Sequence, residues 1–130
     1  MSTLRVDTIE NSSGGSAINV PGAAKAWVNF NGTGTVAIRA SFNVSSITDN
    51  GTGDYTVNFT NELEDNSYVV MCGNVVAGSP SNNYVIGLRT SGISVANSTE
   101  LKSTTQVRIK GASSAGGTLD ILENSVSIFR

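Results

Sequence analysis

Residues 25–60 read KAWVNFNGTGTVAIRASFNVSSITDNGTGDYTVNFT, and the rhythm of that stretch decides the fold class. Ala24, Ala26, Val28 and Phe30 fall on even positions, with Lys25, Trp27 and Asn29 between them. Successive side chains of a strand point to opposite faces, so this period of two predicts a half-buried strand. Asn31-Gly32-Thr33-Gly34 interrupts it with residues that tolerate positive φ. Val36, Ile38, Ala40, Phe42 and Val44 then share one face, opposite Thr35, Ala37, Arg39, Ser41 and Asn43. That pattern predicts one strand running unbroken through residues 36–44. Asp49-Asn50-Gly51-Thr52-Gly53 reads as a turn, and Tyr55, Val57 and Phe59 alternate beyond it as the far arm of a hairpin.

Working outward, YVVMCGNVVA at residues 68–77 is apolar on both faces, which predicts a strand that is central or covered by another subunit. Residues 84–88, 93–96, 104–109, 119–122 and 126–129 are further candidate strands, and no segment carries a helical period. Short strands at regular spacing with turns between them predict an all-β fold, an antiparallel β-sandwich or barrel-like domain. Upstream, Leu4 and Val6 share a face, ENSSGGS at residues 10–16 is linker-like, and Pro21-Gly22 marks a turn. The chain therefore divides into an extended arm, residues 1–22, and a globular part, residues 23–130.

With 130 residues there is room for one domain, and a partner subunit would help to bury a core of that size. Only 14% of residues are charged and the net charge is −2, with no basic run, which argues against a nucleic-acid partner. No apolar run approaches the roughly 18 residues of a membrane span, and the N-terminus lacks the apolar core of a signal peptide. The protein is expected to be made in a cytoplasm and not to insert into a membrane. Cys72 is the single cysteine, so no intrachain disulfide can form, and its apolar neighbours predict a buried, inert thiol. Asn-x-Ser/Thr triplets at Asn11, Asn31, Asn43, Asn50, Asn58 and Asn97 follow from a composition rich in Asn, Ser and Thr.

The chain contains no histidine, so the commonest general base and metal ligand is missing. One cysteine cannot build a zinc site, and no phosphate loop or nucleophile elbow occurs. A carboxylate pair could in principle hydrolyse a glycoside, from among Asp49, Asp54, Glu62, Glu64, Asp65, Glu100, Asp120 and Glu123. Most of these lie in turns, where Asp caps amides and Glu is solvated, so no catalytic, metal or cofactor site is expected. The oxygen-rich run from Asp49 to Asp54 lacks the spacing of an EF-hand and reads better as a turn. Two places suit recognition. Trp27 offers an indole face for a sugar, although its mid-strand position favours packing across a subunit contact. Ser79, Asn82, Asn83 and Tyr84 combine rigid contact area with adaptable hydrogen bonding; the other reading is an ordinary turn before a core tyrosine.

Residues 25–60 resemble the C-terminal domain of bacteriophage tail fibre proteins, of the type found in phages of marine bacteria and cyanobacteria. The opening Leu4-Arg5-Val6-Asp7-Thr8-Ile9, with Gly14 beyond, is similar to the phrase L-x-V-D-T-I-x-x-x-x-G that often precedes that domain. The resemblance implies a homotrimeric virion protein of the tail, fixed at one end and displaying a β-rich tip to a host glycan. On that reading Leu4, Val6 and Ile9 dock the arm on other tail or baseplate proteins. Fibres are usually longer, with a shaft between anchor and tip. A capsid decoration or head fibre is therefore the alternative, with a glycan depolymerase or a free carbohydrate-binding module behind it.

Overall fold

The computed structural model describes residues 22–75, 84–88, 101–113 and 117–130, together with Ser2. These residues are all-β, with no helix among them. Eight strands follow in order: β1 (Ala24–Asn31), β2 (Ala37–Phe42), β3 (Val44–Gly51), β4 (Asp54–Phe59), β5 (Val69–Val75), β6 (Tyr84–Gly87), β7 (Gln106–Ser113) and β8 (Glu123–Phe129). They form two antiparallel four-stranded sheets, ordered β2-β1-β8-β5 and β3-β4-β7-β6. The two sheets face each other as a sandwich.

The core lies between the sheets and follows the period of two. Ala26, Val28 and Phe30 of β1 and Val126 and Ile128 of β8 meet Tyr55, Val57 and Phe59 of β4 and Val107 and Ile109 of β7. Phe30 meets Tyr55 edge-to-face with centroids 5.2 Å apart, and Phe59 meets Tyr68 the same way at 6.0 Å. Such pairs add about 1 kcal/mol beyond the area they bury.

The predicted single strand through residues 36–44 is two strands in different sheets. The break is Asn43, whose φ of 52° lies in the left-handed region that Asn tolerates best after Gly. Its side chain donates to the Lys25 and Asn61 carbonyls and accepts from the Asn61 amide, while its own carbonyl accepts from Thr60 N–H. The corner thus pins β1 of one sheet to the exit of β4 in the other. Before the corner, the β1–β2 register shifts by one residue between Asn29 and Phe30, where Arg39 is the extra residue. This bulge reverses the alternation, so Phe42 faces outward beside Trp27 and not into the core.

Three more expectations need correction. Of the two readings of residues 68–77, the central one fails: β5 is an edge of the first sheet, and among the described residues nothing covers its outward face. Residues 119–122 are not a strand but a plug across one end of the sandwich. Ile121 is fully buried there, its carbonyl accepts from Gly32 N–H and from the Asn124 amide, and Asp120 accepts from Gly53 N–H. The strand predicted at 104–109 runs later, as β7. The candidate strand at 93–96 and the arm, apart from Ser2 and Gly22, lie outside the described residues.

The hairpin reading of residues 49–54 holds: β3 and β4 pair antiparallel across a turn with Gly51 and Gly53 at positive φ. Gly53 is also held close, since a Cβ there would meet the Leu119 carbonyl at 2.7 Å.

Candidate functional site

The two sheets carry unlike outer faces. On the first sheet, residues paired across strands share a face, so Phe42, Trp27, Ser127 and Met71 form one row across all four strands. Val69 and Phe129 pair in the neighbouring row. Relative exposure is 54% for Phe42, 39% for Trp27, 61% for Val69 and Met71, and 51% for Val75. Apolar side chains of this size left to solvent on adjacent strands form a patch; singly they would need no explanation.

The polar groups of this face are gathered towards one end. Glu123 accepts from Asn29 at 2.9 Å and from Arg39 at 3.1 Å, and Asn29 also donates to Ser125. Arg39 reaches across from the bulge to the Leu122 carbonyl as well. The single cation and single anion of this group neutralise each other, leaving the Phe42–Trp27–Met71 row without a charge of its own.

The outer face of the second sheet is a lattice of amides and hydroxyls. Asn58 donates to the Ser46 and Thr48 hydroxyls, both at 3.0 Å, and Asn50 donates to Thr56 at 2.9 Å. At its turn end, Asp54 takes a two-pronged bond from Arg108, at 2.8 and 2.9 Å, with Lys110 at 3.8 Å. Asp54, read from the sequence as the end of an oxygen-rich turn, is a buried, paired residue of β4, its partners lying on the adjacent strand. Bonding to Asp54 holds the Arg108 guanidinium even more firmly protonated than usual.

Among the other candidate carboxylates, Asp65 and Asp120 also have structural partners, and Glu100 lies outside the described residues. Asp65 binds Arg130 and the Ser67 amide, which holds its carboxyl below the usual carboxylate range. Asp120 accepts from Tyr55, whose hydroxyl is pushed well above the ordinary tyrosine range, first by burial and then by that carboxylate. A cleft of about 310 Å³ lies beside the Asn43 corner, lined by Lys25, Asn43, Glu62, Leu63, Glu64 and Arg130. Its Arg130 is bound to Glu64 and Asp65, so its strongest donor is already taken.

Trp27 sits mid-strand as expected, but outward and half-exposed on the apolar face. Tyr84 opens β6, and its side chain is not among the described ones. Ser79, Asn82 and Asn83, and Leu4, Val6 and Ile9, lie outside the described residues. Cys72 faces inward against the core, and burial pushes its thiol up to about 11. Sequence reasoning missed Phe42, Val69 and Met71 as members of a surface; the signal was the two-faced run at 68–77.

No protein-family model, no curated protein and no solved structure matches this chain.

Proposed function

We propose that this chain is the protomer of a short, homotrimeric phage tail fibre: a structural, non-catalytic virion protein that binds a glycan on the host surface. Residues 1–22 dock it on tail or baseplate proteins through Leu4, Val6 and Ile9. The receptor contact is the segment holding Ser79, Asn82, Asn83 and Tyr84. The observation that carries the reading is the pairing of a fibre-like sequence at residues 25–60 with an all-β body whose one outer face carries an exposed apolar row, its Arg39 and Glu123 paired with each other at one end. Avidity supports it further, since three weak glycan sites on one particle bind far more tightly than one.

The test is adsorption. Purified protein is expected to bind extracted envelope polysaccharide of its host without releasing reducing ends, and to block infection when cells are pre-incubated with it. A chain lacking residues 1–22 is expected to bind the polysaccharide and yet be absent from assembled particles. Failure to bind any envelope fraction would remove the proposal, and release of reducing ends would convert it to a depolymerase.

A further inference from the structure

We infer that the outer face of the β2-β1-β8-β5 sheet is where copies of this chain pack against one another, with Trp27 at its centre. This rests on the fibre reading for the number of copies, three, but the face is argued from the structure itself.

Four observations carry it. The first is extent. Four strands about 4.8 Å apart and some seven residues long at about 3.4 Å each make a plate roughly 19 Å by 24 Å. That is roughly 450 Å² of flat area before side-chain relief is counted, more than half of what one partner gives to a standard interface, about 800 Å². The second is composition. Interface centres are rich in aromatic residues and Met and poor in charge, and the central row here is Phe42, Trp27, Ser127 and Met71. The third is the arrangement of charge. Arg39 and Glu123 pair with each other at one end, as a polar rim does, so copies of this face can gather around one axis without like-charge repulsion.

The fourth is contrast within the molecule. The second sheet presents Ser46, Thr48 and Asn58 outward, already bonded to one another and at ease in water. One sequence has made one face of the sandwich wettable and the other not. A sugar would be the rival occupant for Trp27 alone, but Val69, Met71 and Val75 offer no hydrogen bond to a polyol. A second copy covers all of them.

Trp27 is the only tryptophan, so its emission reports this face directly. The wild-type protein is expected to have a native mass near three chains by light scattering, with blue-shifted emission that moves red as dilution dissociates it. Met71→Glu on β5 and Phe42→Asp on β2 are expected to give single chains, one third of the wild-type mass, with red-shifted emission and an unchanged far-ultraviolet strand spectrum. Thr48→Glu, on the opposite face, is expected to keep the full mass. A wild-type protein that stays a single chain at all concentrations would overturn the inference. So would multi-chain mass persisting in both variants, or Trp27 emission that answers to added polysaccharide and not to protein concentration. The dilution experiment uses no variant, so misfolding cannot blur it. Polysaccharide binding by the wild-type protein judges the fibre reading separately: a protein that binds glycan but fails the dilution test keeps its function and loses this interface.

Discussion

The Tyr55 hydroxyl and the Asp120 carboxylate stand 3.1 Å apart, and together they close one end of the sandwich over two glycine turns. Tyr55 also donates to the Gly32 carbonyl at 2.9 Å, and Asp120 accepts from Gly53 N–H at 2.8 Å. Tyr55→Phe leaves the ring packed on Phe30 but removes the single O–H that the Gly32 carbonyl and the Asp120 carboxylate share. A loss of about 1–3 kcal/mol is expected, read as a lower urea midpoint at constant slope.

Tyrosine titration gives the fold an alkaline limit. Burial pushes Tyr68 up to about 12, and Tyr55 is raised further still. In the unfolded chain both ionise near 10. Above that pH the unfolded state binds fewer protons than the native one, so stability falls as pH rises. Urea midpoints are expected to begin falling from about pH 8.5, where the Cys72 thiol ionises in the unfolded chain but not in the native one, and to drop more steeply beyond about pH 10, less so in Tyr68→Phe. A flat profile to pH 11.5 would contradict the burial of these hydroxyls.

Asn43 separates conformation from bonding. Asn43→Gly keeps the positive φ and loses the side-chain bonds that pin Lys25 and Asn61. Asn43→Ala loses the bonds and strains the backbone as well. Costs of about 1–3 kcal/mol for glycine and about 1–2 kcal/mol more for alanine are expected from chemical denaturation. Equal values would mean that the left-handed corner stores no strain.

Asp54 faces Arg108 and Lys110 on β7. Asp54→Ala strands two cations in a covered site, whereas Arg108→Ala leaves Lys110 beside the carboxylate. The aspartate change is expected to cost about 3 kcal/mol and the arginine change less, the order being the test.

Cys72 should be slow to react. With its thiol pushed up to about 11, little thiolate exists at pH 8 and the sulfur faces the core. Disulfide reagents are expected to label it promptly in urea and many-fold more slowly in the native protein.

What the sequence made legible was whatever depends on neighbours along the chain. The alternation of Ala26, Val28 and Phe30, and of Tyr55, Val57 and Phe59, named the core residues of β1 and β4, and Asn50-Gly51 placed the β3–β4 turn. What it hid depends on partners far away in sequence. Phe42 looked inward because a one-residue bulge at Arg39 is invisible until β1 lies beside β2. Asp54 looked like one more turn residue because its partner Arg108 is 54 residues on. Residues 119–122 looked like a strand because Ile121 is apolar; its burial serves to plug an end, tied by Gly32 and Gly53. The uncovered face of β5 was half-visible, as a strand apolar on both sides, and only the sheet order revealed which side lacked cover.

The Asn-x-Ser/Thr triplets have a use of their own. In Asn31-Gly32-Thr33 the Asn side chain accepts from the Thr33 amide and hydroxyl, folding the turn on itself; Asn43, Asn50 and Asn58 tie corners and strands with the same neutral groups. Ions screen charges, not amide-to-hydroxyl bonds. A body joined this way keeps its turns and strand register from dilute buffer to brine.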